Sequence, residues 1–137
     1  SSVGLSLPGL HSLSNLILCF DRCYKVSDQG IIQLSNKMRH LSTIQEINLR
    51  MISCNLTDEG IKHLGDNLML CESKLLTKVM LNFSGTKITN AGVNHFNRSV
   101  QKHPNIKGNK QSVVGIDCEL ASTEKCCRIF QYIYIGS

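Results

Sequence analysis

The sequence predicts an α/β fold in which strands and helices alternate along the chain and stack, the strands forming a parallel inner sheet and the helices an outer layer. The first observation behind this is a stretch that occurs three times. Leu56-Thr57-Asp58-Glu59-Gly60-Ile61 runs on to Leu64 and Leu68. The same residue classes recur in Val26-Ser27-Asp28-Gln29-Gly30-Ile31, followed by Leu34 and Met38, and in Ile88-Thr89-Asn90-Ala91-Gly92-Val93, followed by Phe96 and Val100. This spacing after each glycine places the apolar residues on one face of a helix. The second observation is a shorter pattern ahead of each copy: Leu13-Ser14-Asn15-Leu16-Ile17-Leu18, Ile44-Gln45-Glu46-Ile47-Asn48-Leu49 and Leu76-Thr77-Lys78-Val79-Met80-Leu81. Its last two apolar residues lie two apart and so point to the same side of a strand. The third is the period, 30 residues from Gly30 to Gly60 and 32 from Gly60 to Gly92. A strand of about 5 residues and a helix of about 12 cannot bury an apolar stripe alone, so the units must stack into a solenoid. Strands joined through helices run parallel, not as hairpins.

Taken in order, residues 1–12 carry leucines and a Pro8-Gly9 turn and are expected to be the remnant of an upstream repeat. Three repeats follow, at about 13–43, 44–75 and 76–106. Between strand and helix each has a ladder position: Cys54 and Leu56 in the second, Thr86 and Ile88 in the third. The first copy has one extra residue here, so Tyr24 and Val26 take these places around a bulge. Ser27, Thr57 and Thr89 stand where a hydroxyl can cap a helix, with Asp28, Asp58 and Asn90 at its positive end. Gly30, Gly60 and Gly92 are read as packing residues where the helix start nears neighbouring backbone. Ile31, Leu34, Ile61, Leu64, Val93 and Phe96 are the expected core against the strand leucines. After Pro104 the pattern fails. Asn105-Ile106 could open a fourth strand, Val113-Val114-Gly115-Ile116 is a strand candidate, and Cys126 to Ile135 is another. Residues 107–137 are accordingly a degenerate repeat, a cap or a disordered tail.

The chain has 137 residues, 42% apolar and 18% charged, the balance of an ordinary globular domain. Its formal charge of +5 is spread along the chain, and four phenylalanines, three tyrosines and no tryptophan offer little for base stacking, so nucleic acid is not an expected partner. No apolar run approaches the roughly 20 residues of a membrane helix. The first residue is Ser1, which suggests a fragment or a processed product. Cys19, Cys23, Cys54, Cys71, Cys118, Cys126 and Cys127 form an odd set without framework spacing, which favours reduced thiols and a cytoplasmic location. Sequons at Asn55, Asn82 and Asn97 point the other way, although Asn55 and Asn82 fall inside the repeated motif.

The combination of Leu-x-x-Leu-x-Leu, a Cys, Asn or Thr ladder residue, an aliphatic, Ser/Thr-Asp-x-Gly and a helix with spaced leucines resembles the leucine-rich repeat family. The Asp-x-Gly helix start and long period are similar to its ribonuclease-inhibitor subclass, whose repeats run somewhat shorter. The likeness covers residues 13 to about 106. It implies a curved scaffold, with short parallel strands on the concave face and helices on the convex face, and it carries no catalytic residues across.

Strand residues that alternate with the core leucines should face the concave surface: Asn15, Ile17 and Cys19; Glu46, Asn48 and Arg50; Lys78, Met80 and Asn82. These are the candidate protein-binding residues. His63 and His95 occupy equivalent places on adjacent helices, but Gln33 stands there in the first repeat and no ligand set is completed, so no metal is expected. Cys54 and Cys71 read as small buried residues. No catalytic constellation, cofactor motif or small-molecule site emerges. The function expected is a non-catalytic protein–protein interaction scaffold. The alternative is the substrate-targeting arm of a larger enzyme, such as a repeat-bearing kinase or an F-box-type ubiquitin-ligase receptor, whose cysteine-containing repeats Cys54-Asn55-Leu56-Thr57-Asp58-Glu59-Gly60 resembles.

Overall fold

The computed structural model describes residues 12–20, 22–117 and 131–135, and the side chains of Asp117 and of 131–135 are not among the features described. The expected remnant at 1–12 therefore falls, apart from Ser12, outside the described residues. Strands and helices alternate as β1 (Asn15–Cys19), α1 (Asp28–Met38), β2 (Glu46–Arg50), α2 (Asp58–Met69), β3 (Lys78–Asn82) and α3 (Asn90–Gln101). A short helix α4 (Pro104–Gly108) and the strands β4 (Ser112–Asp117) and β5 (Gln131–Ile135) follow. The sheet order is β1-β2-β3-β4-β5. β1 to β4 are parallel, and β5 turns back antiparallel against β4.

The register is one-to-one across the repeats: Leu16 pairs with Ile47 and Ile47 with Val79, Leu18 with Leu49 and Leu49 with Leu81. Equal strand lengths and a common phase put every second residue on the helix side, where it joins a single core. Ile31, Leu34, Ile61, Leu64, Val93 and Phe96 are all buried in that core, as are Met38, Leu68 and Val100 one turn further on. No helix among the described residues is long and apolar enough to cross a membrane.

Four local expectations are corrected. Tyr24 is 74% exposed, and Cys23 packs partly against the core in its place; the extra residue of the first repeat is accommodated after the ladder position, not before it. Asn105 and Ile106 lie in α4 rather than in a strand, because Pro104 at its first turn has a helical φ and no amide to satisfy, and the His103 ring accepts the Asn105 N–H at 3.1 Å. The sheet is parallel only through β4. The tail contributes β4, over the stretch expected at Val113–Ile116, and β5, while 126–130 of the second candidate lies outside the described residues.

The fourth correction concerns the helix starts. Neither Ser27 nor Thr89 caps its helix through its side chain, and only the Thr57 hydroxyl accepts a helix amide, that of Glu59 at 3.3 Å. The hydroxyls of Thr57 and Thr89 instead donate backwards, to Asp28 and Asp58 of the preceding unit. Each aspartate also accepts the threonine backbone N–H, at 2.9 Å for Asp28 and 2.6 Å for Asp58. The carboxylate therefore spans two units, and the glycine after it makes room. A Cβ on Gly60 would lie 2.5 Å from Asp28 Oδ1, and one on Gly92 would meet the Asp58 carboxylate. Among the described residues, a Cβ on Gly30 would meet nothing within 4 Å. Gly60 thus makes room both for the Asp28 carboxylate and for neighbouring backbone, Asp28 Cα at 3.2 Å, whereas Gly92 makes room for the Asp58 carboxylate, and among the described residues Gly30 does not share the role.

Candidate functional site

The sheet side away from the helices carries the candidate binding residues, because alternation leaves them no place in the core. Register aligns them in rows. Asn15, Glu46 and Lys78 lie side by side, then Ile17, Asn48 and Met80, then Cys19, Arg50 and Asn82. Asn15, Ile17, Cys19, Arg50 and Lys78 are exposed, and Glu46, Asn48, Met80 and Asn82 half-buried. Ile17 stands out, since 66% of an aliphatic side chain faces outward in the middle row.

The electrostatics of this face are mild. Lys78 Nζ is 4.0 Å from Glu46 Oε2, a loose pair with both side chains partly exposed, of the kind that contributes little to stability and steers what approaches. Asn82 has a second duty: its Oδ1 accepts the backbone N–H and hydroxyl of Ser84 at 3.2 and 3.1 Å, shaping the loop after β3. Val113 and Gly115 of β4 extend the first two rows, pairing with Lys78 and Met80. Sequence reasoning missed them because no helix motif follows β4 to mark it as part of the series. The β-branched residues of Val113-Val114-Gly115-Ile116, a strand candidate in the sequence, were the available signal.

On the helix side, His63 and His95 both act on the Asp66 carboxylate, and His95 is the one hydrogen-bonded to it. His95 Nε2 lies 2.9 Å from Asp66 Oδ1, and the Ser99 hydroxyl donates to the same oxygen at 2.8 Å. Burial pushes the Asp66 carboxyl up, but the Ser99 and His95 hydrogen bonds and the nearby charge of His95 and His63 outweigh it, leaving the group below its ordinary value. The arrangement clamps α2 to α3. A corresponding polar contact joins α1 to α2, where the buried Asn67 donates to Ser35 Oγ at 2.8 Å and to Asn36 Oδ1 at 3.1 Å.

The buried cysteines serve packing. Cys54 donates its thiol to the Phe20 carbonyl at 2.7 Å, and Cys71 lies 3.4 Å from the Met38 carbonyl. Burial pushes the Cys71 thiol up, a hydrogen bond with the Ser73 backbone opposes this, and the Glu72 charge adds to it, so the reactive thiolate is disfavoured. Cys19, Cys23, Cys54 and Cys71 are not joined in disulfides.

No family model matches the chain, and no curated protein matches it either.

Proposed function

We propose that the chain is a leucine-rich repeat solenoid that binds a protein partner through the exposed, concave face of its parallel sheet. The observation that carries this reading is the one-to-one register of β1, β2 and β3, which lays Asn15, Glu46 and Lys78, Ile17, Asn48 and Met80, and Cys19, Arg50 and Asn82 in rows on one face. A face of mixed polarity with an outward aliphatic at Ile17 suits a protein surface, where a few anchors supply most of the affinity amid near-neutral contacts. A cytoplasmic setting goes with it. The described cysteines are not joined in disulfides, and two sequon asparagines are engaged: Asn82 holds the Ser84 loop, and Asn97 is buried, accepting from Gln101.

The test compares the two faces. The chain is immobilised and the proteins it captures from cell extract are quantified for Arg50→Glu, Lys78→Glu and Ile17→Asp, with Lys62→Glu and His63→Ala on α2 as controls. The sheet-face variants should lose capture about tenfold or more, the scale of a binding anchor, at a nearly unchanged melting temperature. Loss in the α2 variants with retention in the sheet variants would move the binding face to the helices.

A further inference from the structure

The first unit is built as an interior unit, yet among the described residues its outer side is not covered as the others are. Leu18, Phe20, Cys23 and Val26 are only partly buried. Their counterparts in the second unit, Leu49, Met51, Cys54 and Leu56, are 1%, 0%, 4% and 1% exposed. Along this side runs a groove of about 360 Å³ whose lining includes the apolar Phe20, Cys23, Val26, Ile31 and Leu34 and the polar Lys25 and Gln33. β1 is an edge strand of the sheet. An end unit adapted to water carries polar residues on its outer side; this one is mainly apolar, with only Lys25 and Gln33 polar among the residues lining its groove.

The chemistry of the missing cover is written in the two unit-to-unit junctions that the chain does contain. At each, an aspartate of one unit takes the backbone N–H and hydroxyl of a threonine in the next and lies against a glycine three residues on. The receiving half of a third junction is Ser27 and Gly30. Ser27 has the hydroxyl and makes no side-chain cap bond. Gly30 is exposed where Gly60 and Gly92 are buried, and among the described residues a Cβ there would meet nothing within 4 Å.

We propose that the β1–α1 end is a docking surface for one more strand–turn–helix unit, joined ahead of Leu13, whose turn presents an aspartate to Ser27 and Gly30. The established β1–β2 and α1–α2 junction continues in the same direction and supplies the geometry. A second copy of this chain is a poor occupant. The opposite end offers Asn90 in place of the aspartate and is covered by β4 and the antiparallel β5. The docking is independent of what the sheet face binds.

The test grafts a unit of known fit. Residues 44–75 are placed a second time, directly ahead of Leu13 in place of 1–12, so that the copy's Asp58 takes the docking position. Chemical unfolding is then followed for the original and extended chains, each with and without Gly30→Ala. In the original chain the substitution should raise the unfolding midpoint, because alanine is the better helix residue. In the extended chain it should lower the midpoint, because the new Cβ meets the grafted carboxylate. The copy's Asp58→Ala should abolish that penalty while lowering the midpoint of the extended chain itself. A gain from Gly30→Ala in both chains, or a grafted unit that melts separately, would overturn the proposal. So would sedimentation showing that the original chain already pairs with a second copy through this end.

Discussion

Asp28 and Thr57, in successive units, are joined twice, one carboxylate oxygen taking the threonine amide and the other its hydroxyl. Asp28→Ala removes both acceptors at a half-buried junction and should cost about 1.5–3 kcal/mol, the range for hydrogen bonds to a charged group. Urea unfolding monitored by circular dichroism measures it. A loss below about 0.5 kcal/mol, the scale of an ordinary surface substitution, would mean that stacking of the units does not depend on this carboxylate.

Gly60→Ala tests the same junction sterically. Its Cβ would lie 2.5 Å from Asp28 Oδ1 and 3.2 Å from Asp28 Cα, so the carboxylate or the helix must shift. Destabilisation of about 1–3 kcal/mol is expected, as for overpacking a tight site, although alanine favours helices. Combining it with Asp28→Ala should give less than the sum of the two losses, since both act on one contact.

Leu64 is fully buried at the centre of α2. Leu64→Ala should lower stability by about 2–5 kcal/mol, and thermal melting with no loss would reject the packing of this helix face on the sheet.

His103 gives the fold a pH dependence. It is buried, with Nδ1 accepting the Asn105 N–H and Nε2 therefore donating to the Cys71 carbonyl at 2.9 Å. Burial lowers its affinity for a proton below the ordinary 6.5, outweighing the bonds to the Cys71 and Ser73 backbone. The unfolded chain then binds the proton more readily than the folded one, so this contribution is complete above pH 6.5 and is lost as pH falls below it. Melting temperature should decline between pH 7 and pH 5, and less so in His103→Asn, whose side chain caps α4 without titrating. An equal decline in both would assign the effect elsewhere.

The repeating strand and helix phases were legible because they are made by apolar side chains at fixed intervals, and those intervals are a direct record of which face is buried. The inter-unit contacts were less legible. Asp28 and Asp58 at helix starts have a sufficient local explanation in helix capping, and nothing in one unit's sequence reveals that the carboxylate is received by the next. The loop geometry was hidden for a related reason. Arg22, Ser53 and Gly85 sit at equivalent points with φ of 55°, 58° and 74°, and the amides of Arg22 and Ser53 bond across to Ile52 and Ser84 at 2.6 and 2.7 Å. Only one of the three is a glycine, so the left-handed conformation left no common residue type to read. At the sheet face, the rows were predictable from alternation, whereas β4 could be placed only once its pairing with β3 was seen.

The alternation within each strand also separates two histories of change. Leu16, Ile47 and Val79 answer to the core, and a substitution there is judged by packing before any partner is met. Ile17, Asn48 and Met80, each one residue further on, contribute little to that judgement and can vary almost independently. A lineage carrying this sheet could therefore change the chemistry of its outward face by drift at those positions alone, with the parallel register held constant by the neighbours that face inward.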